Sequence, residues 1–269
     1  MTPDVQHASL DSFLSKYNVT YINIENSESL DKIYNLFVND DTSKEPVNGV
    51  EYNYFGLYYE HVKHDFVKAK TYYLLGVEHH NSNSMNNLAL YYNKFEIDVD
   101  KMIKLYLMAI ELKNPFAMGH LANYYYIIDN YELMEKYYLM SIELNHTNSM
   151  ANFGYYYFKQ KDFIQMKKYY RMAFQNKSTI GIQYFAEYYG WKNKWSKALD
   201  LYMLKPDEFK QEILSIFTNQ QDILQTFLRT HVDTVKENTE LKLYVEHLKY
   251  KPGNVGAKKA KSHFESLIA

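Results

Sequence analysis

The chain has 269 residues, no cysteine and a formal net charge of −2. Lacking cysteine, it can form neither disulfides nor thiolate metal sites, and its near-neutral charge excludes a globally basic nucleic-acid binder. No apolar run reaches the ~20 residues that span a bilayer, and no basic segment precedes an apolar run at the start, so the reading is a soluble cytoplasmic protein with no membrane partner.

Taken in chain order, residues 1–50 form an irregular, mostly helical N-terminal cap. Helices are expected at 8–18 and 27–38, the second with Leu30, Ile33, Tyr34 and Phe37 on one face. Residues 19–24 alternate weakly and read as a short strand, and 40–49 as a loop.

Residues 51–205 hold five copies of one pattern. A large residue followed by a small one recurs as Phe55-Gly56, Leu88-Ala89, Leu121-Ala122, Phe153-Gly154 and Phe185-Ala186. A Tyr pair follows each, at 58/59, 91/92, 124/125, 156/157 and 188/189. A second segment carries Ala69, Met102, Met134, Met166 or Ala198, then Tyr73, Tyr106, Tyr138, Tyr170 or Tyr202 four residues later. The period of 32 or 33 residues means stacked helical hairpins, hence an extended surface rather than a reaction centre. Small residues let helices approach closely, and the Tyr column is expected inside each hairpin. Three methionine columns (85/118/150, 102/134/166 and 108/140/172) read as core filling. Asp65, Asn130 and Asp162 stand where a second helix begins, suited to capping. Pro115 stands at the start of a first helix, where its missing N–H costs little.

Residues 206–269 read as a C-terminal helical cap and basic tail. Helices are expected near 207–217, 220–232, 234–249 and 256–267, with Pro252-Gly253 ending the third. Residues 249–263 contain five lysines and no acid. A frayed, solvated end explains this tail better than a phosphate contact.

The repeat resembles the tetratricopeptide superfamily, and within it the Sel-1-like repeats. The large–small pair, the Tyr after it, and Asp65-x-x-Lys68-Ala69-x-x-Tyr72-Tyr73 carry the likeness. It departs from that family in lacking an early Trp, a Gly-rich turn and the usual unit length. The Tyr/Asn/Lys-rich flavour looks like repeat proteins of giant DNA viruses of amoebae. The resemblance implies an all-α solenoid of antiparallel hairpins, with the first helices lining a concave groove.

Positions flanking the large–small pair would then be exposed in that groove: Asn53, Asn86, Asn87, Lys94, His120, Asn123, Asn152, Tyr155, Lys159, Tyr184, Glu187 and Trp191. Asn carries a donor and an acceptor, so it can pair with the backbone of an extended peptide. Lys, Asn and Tyr also have AT-rich codons, so these asparagines fit either a bound segment or plain hydration.

Other constellations are weaker. His61 and His64 stand at one end of the first hairpin and His79-His80 at the other, about 22 Å apart along a helix, so they share no metal ion. Gly253-x-x-Gly256-x-Lys258 lacks the spacing, the Ser/Thr and the strand of a phosphate loop. With no nucleophile–base pair, no paired carboxylates and no cofactor motif, the reading is a non-enzymatic adaptor or scaffold for a protein or extended peptide, with viral host interaction or defence as its setting. The alternative is a nucleic-acid-associated factor using the basic tail and exposed Tyr.

Overall fold

The structure, a computed structural model, describes residues 8, 10, 11, 14, 27–205 and 208–219. Helices account for every regular element among them, and no strand occurs there. The sequence divides into two compact units, Met1–His146 and Thr147–Ala269.

In the first unit, α1 (Ser27–Val38) leads into three hairpins. These are α2 (Gly49–His61) with α3 (Phe66–Glu78), α4 (Ser82–Tyr91) with α5 (Val99–Glu111), and α6 (Pro115–Ile127) with α7 (Tyr131–Glu143). In the second unit, α8 (Thr147–Lys159) pairs with α9 (Phe163–Gln175) and α10 (Thr179–Trp191) with α11 (Trp195–Tyr202), followed by α12 (Lys210–Asn219). Within each unit a helix packs on the next in sequence. First helices also touch one another, α2 on α4 and α8 on α10.

The cores follow the repeat. Tyr73, Tyr106, Tyr138, Tyr170 and Tyr202 are all buried, as are Ala69, Met102, Met134, Met166 and Ala198. The small residue after the large one makes room for that Tyr. A Cβ on Gly56 would lie 2.4 Å from the Tyr73 ring, and one on Gly154 would lie 2.4 Å from the Tyr170 ring. The second Tyr of the pair stacks on the residue before the buried Tyr: Tyr59 on Tyr72 at 5.3 Å, Tyr125 on Tyr137 at 5.7 Å, Tyr157 on Tyr169 at 5.6 Å. These interplanar angles of 11°, 7° and 4° tie the two helices of a hairpin by offset rings. Two methionine columns are buried as expected, but Met108, Met140 and Met172 are only half-buried. They sit two residues past the buried Tyr, at the margin of the packed stripe.

The turns explain the variable period. Ten described residues between helices adopt left-handed backbone: Asp40, His64, His80, Ile97, Lys113, Asp129, Asn145, Lys161, Lys177 and Asn193. Most are followed directly by a capping side chain. Asp65, Asn81, Asp98, Asn114, Asn130, Asp162 and Ser178 each accept from N–H groups of the next first turn. The expected caps at Asp65, Asn130 and Asp162 and the Pro115 start are thus observed.

In most turns the cap N–H reaches a carbonyl five residues back, as Asn114 to Ala109 and Asn130 to Tyr125. In two it reaches six back, Asp65 to Tyr59 and Asp98 to Tyr92. The extra residue before Asp98 is absorbed by a π-helical turn, Tyr92–Glu96. One added residue at the end of α2 and of α4 therefore makes the first two repeats 33 long and the rest 32.

Helix α1 fills the position expected at 27–38. It docks through a buried polar knot. Glu51 accepts from Lys32 Nζ at 2.7 Å, Ser29 Oγ at 2.6 Å, the Val47 N–H at 2.9 Å and Asn48 Nδ2 at 2.9 Å. Burial by itself pushes the Glu51 carboxyl up, but hydrogen bonds from Lys32, Ser29 and Val47 together hold it below its ordinary value. Positions 8, 10, 11 and 14 are helical, with Leu10 and Leu14 buried. The rest of the 8–18 helix, the 19–24 strand and everything expected after 219, including the basic tail, lie outside the described residues. The helix expected at 207–217 appears as α12, shifted to 210–219.

Candidate partner-binding site

The asparagines of the first unit do not stand open along a groove, as the register suggested. Asn53 is 2% exposed and Asn86 5%. They join a single hydrogen-bond chain across three first helices. Asn87 Nδ2 on α4 donates to Asn53 Oδ1 on α2 at 2.9 Å, and Asn86 Nδ2 donates to Asn87 Oδ1 at 3.1 Å. His120 Nδ1 on α6 lies 2.9 Å from Asn86 Oδ1. With Asn86 Oδ1 as acceptor, the ring must carry its proton on Nδ1. Burial lowers His120 to about 4, so it is neutral at pH 7, and every donor in the chain points from His120 toward Asn53. Asn123 is engaged within its own hairpin, where it accepts from Tyr138 Oη. The physical reason for the correction is that neighbouring first helices pack side by side. Residues flanking the large–small pair therefore meet the next first helix before they meet solvent. A polar seam of this kind is satisfied internally and fixes register. Of the predicted residues in this unit only Lys94 is exposed, with its Nζ 4.7 Å from the Phe95 ring centroid.

The second unit presents a different surface. Tyr155 on α8 and Tyr184 on α10 are half-buried neighbours, ring centroids 5.3 Å apart. Trp191, at the end of α10, is 57% exposed. Its indole meets Phe158 edge-on at 5.7 Å and Phe163 at 5.7 Å. Two lysines lie on these rings. Lys159 Nζ is 5.5 Å from the Tyr155 centroid, and Lys192 Nζ is 4.2 Å from that of Trp191. Neither has an ion-pair partner among the described residues. Glu187 is exposed and accepts from Gln183 Nε2 at 3.0 Å. Asn152, half-buried, lies one turn before Tyr155 on α8.

Tyr155, Lys159, Tyr184, Glu187 and Trp191 thus belong to one pair of first helices, while Asn53, Asn86, Asn87 and His120 form an internal seam. Phe158, Phe163 and Lys192 complete the aromatic face and were not anticipated. Phe158 stands three residues after Tyr155, the helical spacing that could have revealed it. Among the described residues no group of three or more His, Asp or Glu could hold a metal ion, and no helix is long and apolar enough to cross a membrane.

No family model and no curated protein matches the sequence. Solved structures do. A protective antigen present in uropathogenic Escherichia coli strains, displaying an SLR fold, superposes with a TM-score of 0.50 at 14% identity. That match covers 98% of this chain and 62% of the antigen. The APC/C hetero-tetramer Cut9–Hcn1 matches with a TM-score of 0.52 at 16% identity, covering 99% of this chain and 52% of its own. The chain therefore spans roughly half to three-fifths of these neighbours' length. At such identity the likeness speaks for the fold alone: an all-α solenoid of helical hairpins.

Proposed function

We propose that this protein is a non-enzymatic adaptor that holds a protein or peptide segment against the first-helix face of α8 and α10. The observation that carries the reading is the exposed Trp191 set among Phe158, Tyr155 and Tyr184, with Lys159 and Lys192 left without carboxylates. Exposed aromatic anchors beside unpaired cations are the usual makings of a binding hot spot. Residues 147–205 hold ten Lys or Arg and only three acids, so the complementary segment is acidic. The adaptor acts by tethering, in the setting of viral host interaction or defence that the repeat's flavour suggests. The solenoid neighbours support a role in assembly through their fold alone.

Nucleic acid is the less favoured occupant. Base stacking needs an open ring face, and a lysine head competes for one face of Trp191 and of Tyr155. The ammonium groups beside these rings suit a peptide with carboxylates.

The test is affinity purification from the native source with the wild-type chain and a Tyr155→Ala, Trp191→Ala variant. The expected result is loss of the main partner, with helical content kept and the stability change near 1 kcal/mol, as for half-exposed side chains. Raising salt should weaken capture of that partner. A variant that retains its partner in full sinks the assignment.

A further inference from the structure

A second surface lies on the outward sides of α3, α5 and α7, in the first unit. Each helix repeats one three-residue pattern at i, i+3 and i+7, positions that share a face. The middle residues are Leu74, Leu107 and Leu139, which are 41%, 39% and 37% exposed. Three residues before them stand Thr71, Lys104 and Lys136, and four residues after them Glu78, Glu111 and Glu143, all exposed. None of these five charges makes an ion pair or hydrogen bond with a described residue. The face is therefore a leucine row with a basic row on one side and an acidic row on the other. Hairpin packing does not demand it, since the matching positions of α9 are Lys168, Arg171 and Gln175.

We propose that this face pairs with the same face of a second copy of the chain, about a two-fold axis running along the leucine row. Such an axis reverses helix direction across the interface and keeps repeat order. Leucine then meets leucine. At a rise of 1.5 Å per residue, the lysines stand about 4.5 Å to one side of the leucines and the glutamates about 6 Å to the other. The operation lays each basic row over the acidic row of the copy, offset by only about 1.5 Å along the helix. Lys104 comes beside Glu111 of the copy and Lys136 beside Glu143, twice over by symmetry. One turn further out, Asp100 comes opposite Lys113 of the copy. An axis along the helices instead of across them would set lysine on lysine and glutamate on glutamate. The charge rows thus select one arrangement and reject the other. This inference does not depend on the partner site of α8 and α10.

The test is the mass of the full chain in solution, by light scattering over a wide concentration range. The wild-type chain, 32.1 kDa as a monomer, should reach the dimer mass. A Lys104→Glu, Lys136→Glu variant should be monomeric, and so should Glu111→Lys, Glu143→Lys. Mixing those two should restore dimers, now only mixed ones. Leu107→Asn should also be monomeric with its helical signal intact, a check that does not involve charge. A wild-type chain that stays monomeric at every concentration overturns the proposal, even if it captures a different protein on this face. A dimer that survives both charge reversals overturns it too, because it uses another surface. Failure of the mixture to form mixed dimers overturns the two-fold arrangement.

Discussion

At the scale of single residues, the polar groups inside the hairpins set the response to pH. Burial lowers both His120 and His146 to about 4, against an ordinary value of about 6.5. Above pH 7 both states of the chain hold these rings neutral, and they contribute nothing to pH dependence. Between about pH 6.5 and pH 4 the unfolded chain takes up protons that the folded chain refuses. Stability should therefore fall across that window by about 1.4 kcal/mol per pH unit for each histidine. Glu51 acts lower down, because its carboxyl is held below the usual range and its contribution is lost only when acid reaches it. Denaturant midpoints between pH 7.5 and 4.5 check this: His61 is lowered by burial as well, so His120→Gln should remove part of the slope, and an unchanged slope would place that ring in solvent. A second residue-scale test concerns Tyr58, whose Oη is buried without a hydrogen-bond partner among the described residues. Tyr58→Phe removes a desolvated hydroxyl and should leave stability unchanged or raise it by about 1 kcal/mol. A loss above ~1 kcal/mol would reveal a bond that the geometry does not show.

At the scale of elements, the turns and the helix contacts make opposite demands on glycine. Each turn from α2 to α11 places a non-glycine residue in left-handed backbone, and Ile97 is the worst suited, with a branched Cβ at φ 51° and 77% exposure. Ile97→Gly should raise stability by about 1–2 kcal/mol in chemical denaturation; no gain would mean that the π-helical turn before it depends on the isoleucine. Gly154 is the reverse case. Its missing Cβ is where the buried Tyr170 ring lies, so Gly154→Ala should cost about 1–3 kcal/mol despite alanine's better helix propensity. The hairpins were legible in the sequence because the large–small pair, the cap and the buried Tyr recur in phase. The 33-residue spacing was legible too, but its cause was not. Nothing in Tyr92–Glu96 marks a π-helical turn except that one residue must be absorbed somewhere.

At the scale of the whole molecule, the net charge of −2 conceals a division that only the structure's two units bring out. Residues 27–146 hold seventeen acids against ten Lys or Arg, while 147–205 hold three against ten. The same division separates what was legible in the candidate site from what was not. Helical register placed Tyr155, Tyr184 and Trp191 at first-helix positions, and the structure leaves each of them at least partly exposed. It misjudged Asn53 and Asn86, because register names a face of one helix and not the neighbour that covers it. The N-terminal segment shows such covering directly. Leu30, Ile33, Leu36 and Phe37 of α1 are buried, and Phe37 meets the edges of the Tyr54 and Tyr58 rings at 6.3 and 5.5 Å. The same helix supplies Lys32 and Ser29 to the buried Glu51 carboxylate. A chain starting at Asn48 would therefore expose an apolar repeat face and open the Glu51 carboxylate to water. Such a chain should aggregate, as solenoids do when an end repeat is uncapped. The Lys32→Ala variant keeps the cover but leaves that carboxylate buried without its cation, at a cost of about 3–5 kcal/mol, so it should stay soluble but melt several degrees lower. A truncated chain that remains monomeric and fully helical with an unchanged melting point would show that α1 is an appendage and that the repeats close their own end.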